Sequence, residues 1–175
     1  MKISVIGYSG SGKSTLAGEL AEHYGIKALH LDTVHWLPCW RERSRDAEVN
    51  IVADFLDSTD NWVIDGNYSK VCFKRRLDES DEIIFMSFNR FANLFRILKR
   101  YKQFKGTARS SMTEGCEEKI DIEFIKWILI KGRSRKYRDM YNSVLNNYAD
   151  KITVIKNQKQ LDSFKIKMLN KDGLI

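Results

Sequence analysis

A single proline, Pro38, in 175 residues leaves no Pro-rich linker, and no internal repeat or low-complexity tract takes its place. The length suits one domain with its own core, so residues 1–175 are expected to fold as a single unit. Cysteine is scarce too: Cys39, Cys72 and Cys116 are odd in number and widely spaced. With no C-x-x-C pair, neither a zinc site nor a disulfide framework is indicated. No stretch approaches the ~20 apolar residues needed to cross a bilayer. The only apolar run near the N-terminus, Ile3-Ser4-Val5-Ile6, is cut by Gly7, which argues against a leader peptide. A reduced, cytoplasmic setting is the expectation. Helix-turn-helix, zinc-finger and aromatic RNA-binding signatures are missing, as are Ser-His-Asp and Cys-His constellations for nucleophilic catalysis.

What the chain does have is apolar residues, at 43%, which excludes global disorder, and positive charge, +7 in all. The charge is uneven. From Arg96 to Arg138 there are thirteen Lys or Arg against five Asp or Glu. Such a concentration implies an anionic partner, either the phosphates of a nucleotide or a nucleic-acid backbone.

Residues 7–14 read Gly-Tyr-Ser-Gly-Ser-Gly-Lys-Ser, a complete G-x-x-x-x-G-K-[ST] phosphate-binding loop. An apolar strand pattern precedes it and a helical pattern follows, the order the motif requires. Glycines at Gly7, Gly10 and Gly12 let the backbone curl so that N–H groups of Ser9, Ser11 and their neighbours can face an anion. The helix starting near Lys13 adds its positive end. Lys13 is expected on the β- and γ-phosphates, with Ser14 on Mg²⁺ and Thr15 next to it. A guanine-recognising N-K-x-D is absent and no D-x-x-G follows the third strand, so GTPase readings fail.

The rest of the chain alternates strand and helix, which predicts a parallel sheet covered on both faces. Strands are expected at about 2–6, 27–31, 62–64, 82–88 and 152–155. Helices are expected at about 13–24, 46–57, 69–77, 90–104, 121–148 and 158–169, with Gly132 a point of bending in the long one. A loop rich in aromatic and basic residues should run from Thr33 to Arg45. It holds His35, Trp36, Trp40, Arg41, Arg43 and Arg45, a mixture suited to a phosphorylated or ring-bearing acceptor. His30 reads as a strand-interior residue.

Ligands of open parallel sheets sit beyond the carboxyl ends of the strands. Asp32 should end the second strand and Asp65 the third, so either can serve Mg²⁺, with Ser14. Arg96 and Arg100, spaced i, i+4, share a helix face, and Arg109 lies in the Gly-containing stretch just after it. Arg133, Arg135 and Arg138 stand beyond. The region of about 96–138 is therefore expected to act as a lid that brings arginines to the phosphates and excludes water.

The loop GYSGSGKS, the segment His30-Leu31-Asp32-Thr33-Val34-His35-Trp36 and the string Trp62-Val63-Ile64-Asp65-Gly66-Asn67-Tyr68 resemble the adenylate-kinase and shikimate-kinase-like P-loop group. More narrowly, with Gly106 to Met112, Gly115-Cys116 and Phe124 to Trp127, the chain resembles bacterial proteins labelled DNA topology modulation proteins. That resemblance implies a three-layer α/β/α P-loop kinase fold with a five-stranded parallel sheet in order 2-3-1-4-5. It implies ATP as phosphoryl donor, Mg²⁺ as its metal, and phosphate contacts from Arg96, Arg100 and Arg109. It also implies that the segment near Lys156 to Gln158 passes the adenine, and that Asp32 meets the metal or the acceptor. Adenylate kinases carry Asp-Gly-Phe-Pro where this chain has Asp65-Gly66-Asn67-Tyr68, so AMP is not a safe choice of acceptor.

Two functions follow. The first is an ATP-dependent phosphotransferase acting on a nucleotide, nucleoside or similar small acceptor, with Lys13, Asp32, Arg96, Arg100 and Arg109 in the chemistry. The second is a nucleic-acid-binding ATPase or regulator that uses the basic side on DNA.

Overall fold

The computed structural model describes residues 1–107 and 111–171. Five strands form the main sheet: β1 (Lys2–Gly7), β2 (Lys27–His30), β3 (Trp62–Asp65), β4 (Glu82–Met86) and β5 (Ile152–Ile155). Every pairing in it is parallel, and the spatial order is β2-β3-β1-β4-β5. This is the expected order. β1 is central, so the loop that leaves it opens at the middle of the sheet.

Alternation along the strands divides the core. Ile3 and Val5 of β1, Val63 of β3, and Ile84 and Met86 of β4 face one way. They pack on Leu16, Ala17 and Leu20 of helix α1 (Lys13–Tyr24), and on Leu161 and Met168 of the last helix. Ser4, Ile6, Trp62, Ile64, Ile83 and Phe85 face the other way. There α3 (Arg45–Ser58), α4 (Phe73–Glu79) and α7 (Arg135–Asn147) cover them through Val52 and Leu56, Leu77, and Tyr141 and Val144. Each of these aliphatic side chains, buried to within a few per cent, contributes about 1.5–3 kcal/mol.

Several elements depart from expectation. β2 stops at His30, and Leu31–His35 form a short helix, α2, so Asp32 lies in its first turn rather than at a strand end. The reason is local: the Thr33 hydroxyl donates to the His30 carbonyl at 2.7 Å and turns the chain early. His30 is consequently the terminal residue of its strand, not an interior one. The expected loop at 33–45 contains a two-residue-per-strand hairpin, Trp36–Leu37 against Arg41–Glu42. The short fourth helix starts at Phe73, and β4 ends two residues before Phe88.

After α5 (Arg90–Phe104) the expected long helix is broken into α6 (Ile122–Leu129), a single tight turn at Lys131–Arg133, and α7. Gly132 marks the break. A Cβ there would meet the Trp127 carbonyl oxygen at 2.9 Å. The last helix, α8, spans Gln158–Lys171. No helix among the described residues is long and apolar enough to cross a membrane.

Candidate active site

The loop from Gly7 to Ser14 leaves the C-terminal end of β1 and enters α1. Gly7, Gly10 and Gly12 all have positive φ, at 141°, 78° and 96°. The conformations alone demand glycine, and so does the space. A Cβ on Gly7 would run into the Met86 carbonyl, and one on Gly10 into Ile97 and, at 2.9 Å, the Asn93 carbonyl. At Gly12 it would meet the Arg96 guanidinium at 2.9 Å. Lys13 Nζ folds back to the Tyr8 carbonyl at 3.1 Å, bridging the loop. Burial lowers the pKa of this ammonium from 10.5; the carboxylates of Asp65 and Asp32 push it back up, and Arg100 pushes it down.

Both aspartates act electrostatically on Lys13, yet they are held differently. Asp65, 4% exposed, accepts from the Ser14 hydroxyl at 2.7 Å through one oxygen and meets His30 Nδ1 with the other. Asp32 accepts from the Tyr68 hydroxyl at 2.7 Å. Of the two, Asp65 therefore lies against the loop serine, and Asp32 belongs to the side of Tyr68. No group of three or more His, Cys, Asp or Glu side chains that could by itself hold a metal ion occurs among the described residues.

The segment after β3 supplies what sequence reasoning missed. The Asn67 side chain accepts from Gly7 N–H at 3.0 Å and donates to the Gly7 carbonyl at 2.8 Å, clamping the first glycine of the loop. Arg76 is wholly buried on α4. It donates to the carbonyls of Val71, Gly66, Asn67 and Tyr68 at 3.2, 3.2, 3.1 and 3.5 Å. Burial pushes its pKa down to about 10. The string Trp62 to Tyr68 was marked in the sequence by its resemblance alone, and nothing in the spacing marked Arg76.

The arginines expected on the phosphates diverge. Arg96 donates to the Ser11 carbonyl at 2.8 Å, pairs with Gln158 Oε1 and stacks on Phe88 at 4.4 Å. Arg100, a turn further, makes a forked bond to the buried Glu118 at 2.8 and 2.5 Å. Arg109 lies outside the described residues. Arg133 covers the Tyr8 ring at 3.9 Å and donates to the Phe88 carbonyl at 2.5 Å. Trp127 Nε1 reaches the Ser9 hydroxyl at 3.1 Å, tying α6 to the phosphate loop.

The chain between α5 and α6 closes on the hairpin. Thr113 donates to the Trp36 carbonyl at 2.5 Å, Cys39 N–H to the Gly115 carbonyl at 3.3 Å, and the Cys116 thiol to the Leu37 carbonyl at 3.3 Å. On the opposite flank of the loop a cleft of about 210 Å³ is lined by Gly12, Thr15, Leu16, Arg96, Gln158, Leu161 and Lys165. It adjoins the segment assigned to adenine by resemblance. The Ser11 hydroxyl is buried without a protein partner.

No protein-family model and no curated protein matches the sequence. Solved structures match the fold. Shikimate kinase from Acinetobacter baumannii, in complex with shikimate, superposes with a TM-score of 0.58 at 14% identity, over 99% of this chain and 95% of that one. Deoxyadenosine kinase from M. mycoides with bound dATP gives 0.56 at 16%, over 96% and 99%. An uncharacterized protein from Eubacterium ventriosum gives 0.54 at 18%, over 99% of both chains. The fold is that of the P-loop kinases. At such identities the likeness reports architecture, and the chemistry has to be argued from the residues.

Proposed function

We infer that this protein is an ATP-dependent phosphotransferase acting on a small acceptor. The observation that carries the reading is the phosphate loop itself. Three positive-φ glycines leave no room for a side chain where the loop packs on Met86, Ile97 and Arg96, and Lys13 and Ser14 stand at the helix start. The fold shared with a shikimate kinase and a deoxyadenosine kinase supports it.

The triphosphate lies along the loop, its β- and γ-oxygens on backbone N–H groups and Lys13. The adenine enters the cleft beside Gln158 and Lys165. The hard-oxygen pair of Ser14 and Asp65, already 2.7 Å apart, fits Mg²⁺ chemistry. Those two residues would hold the ion, which neutralises charge on the β- and γ-phosphates when bound. Asp32 stands on the acceptor side and orients the incoming molecule. Arg96, and Arg109 from its own segment, serve the phosphates, while the closed lid excludes water. Charge stabilisation by Lys13 is the largest single contribution expected.

The test is ADP release from ATP·Mg²⁺ across a panel of nucleosides, nucleoside monophosphates, sugars, shikimate-like acids and DNA. An acceptor-dependent rise that falls at least ~100-fold in Lys13→Ala is the expected result. Near-normal turnover in that variant rejects the assignment.

A further inference from the structure

We propose that Cys39 and Cys116 form a reversible disulfide under peroxide, a lock that fastens residues 113–116 to the hairpin of residues 36–42. The inference stands apart from the kinase reading and goes beyond it.

The three thiols of the chain are free, and two of them lie in facing stretches. Cys39 N–H donates to the Gly115 carbonyl at 3.3 Å, and the Cys116 thiol donates back to the Leu37 carbonyl at 3.3 Å. Gly115 lies directly on the turn: a Cβ there would meet Pro38 Cβ at 3.6 Å and Cys39 N at 3.8 Å. Stretches bonded in this way run as close as neighbouring strands, roughly 4.7–4.9 Å apart. That falls inside the ~4.4–6.8 Å between Cα atoms that a disulfide spans. Cys72 is placed elsewhere, its thiol donating to the Val49 carbonyl of α3 at 3.8 Å.

The two thiols differ in access. Cys39 is exposed, whereas Cys116 is 1% exposed. Peroxide in bulk water therefore meets Cys39 first. Cys39 also holds a left-handed backbone, φ 63°, where glycine would stand without strain, so packing gives no reason for a side chain at this position.

The Cys39 thiolate attacks one peroxide oxygen, the O–O bond breaks and hydroxide leaves, which makes Cys39 a sulfenic acid. The Cys116 thiolate then attacks Cys39 Sγ, the S–O bond breaks and a second hydroxide leaves. Each hydroxide takes the proton its thiol released. Two thiols and one peroxide thus give one disulfide and two waters, and a dithiol reverses the bond by exchange. The bridge closes a ring from residue 39 to residue 116. Thr113, inside that ring, also bonds the carbonyls of Thr33 and Trp36, at 3.4 and 2.5 Å, so the lock bears on α2 and its Asp32.

The test is peptide mapping by mass spectrometry, without reductant, of the full chain treated with a slight molar excess of hydrogen peroxide. A loss of ~2 Da, a single Cys39–Cys116 linked peptide and full reversal by dithiothreitol are expected. The oxidised chain should melt at least ~5 °C higher than the reduced one. Cys39→Ser, a change at an exposed site, should abolish the mass loss and leave Cys116 a thiol, while Cys72→Ser should change nothing. In Cys116→Ser the sulfenic acid should persist at Cys39 and be trapped by dimedone. A Cys39–Cys72 link, a link between two chains, over-oxidation of Cys39 with Cys116 still a thiol, or no reaction at all would each overturn the proposal.

Discussion

Lys13 shows what a single residue is asked to do at this site. On the proposed reading it must stay charged for the phosphates in a place where burial disfavours charge. The sign has a consequence. The unfolded chain holds this proton up to about pH 10.4, and the folded chain gives it up earlier. Protonated Lys13 therefore costs stability near neutrality, a cost relieved as the pH rises through its lowered pKa. Only the ammonium binds phosphate, so affinity for an ATP analogue should fall as the pH approaches that of an ordinary lysine, while the unliganded protein gains stability. Calorimetry across alkaline pH checks this, with Lys13→Met as the variant whose profile should stay flat. Lys13, Ser14 and the glycines were readable from the sequence because the motif ties residue type to position. The division of labour between Asp32 and Asp65 was not readable. It depends on the Ser14 hydroxyl and the His30 ring reaching one carboxylate and Tyr68 the other, across 51, 35 and 36 residues of chain.

Among the elements, the stretch from Gly66 to Val71 is irregular, and its carbonyls have no ladder to join. Arg76 takes their place in the accounting. Through Asn67 it also steadies Gly7, and through Tyr68 it steadies Asp32. Arg76→Met should therefore cost about 3 kcal/mol, or roughly 10 °C in Tm, by stranding buried acceptors. Arg76→Lys should recover only part of that loss, because one ammonium cannot reproduce the planar fork; thermal melts of the two variants give the comparison. Gly10→Ala adds a Cβ at φ 78° against Ile97 and Asn93 of α5. It should destabilise the fold by at least ~1 kcal/mol and weaken analogue binding. The regular elements were legible in the sequence because their apolar periods are long and unmixed, as in α7 and β3. The turn into α2 and the hairpin at Trp36 were not, because a side-chain bond from Thr33 and contacts from Thr113, Gly115 and Cys116 settle them. Hydrophobic period carries neither.

For the molecule as a whole, the order β2-β3-β1-β4-β5 places the Gly7–Ser14 loop at the centre of the sheet, between the cleft lined by Gln158 and Lys165 and the Thr113–Cys116 segment clasped to the hairpin. Breaking the clasp with Thr113→Val should raise the rate of futile ATP hydrolysis relative to transfer, because the lid then admits water. If the excess positive charge serves nucleotide phosphates, duplex DNA should bind weakly and lose that binding steeply between 50 and 200 mM salt. Ligand linkage is the global counterpart: an analogue at ~100 times its Kd should stabilise the fold by about 2.7 kcal/mol. The most direct measurement is calorimetric titration of the protein with a non-hydrolysable ATP analogue and Mg²⁺. Saturable binding in the wild-type chain, weakened by at least ~10-fold in Lys13→Ala, is the predicted result. A titration with no heat of binding, or equal affinity in the two proteins, would contradict the assignment of residues 7–14 to a triphosphate.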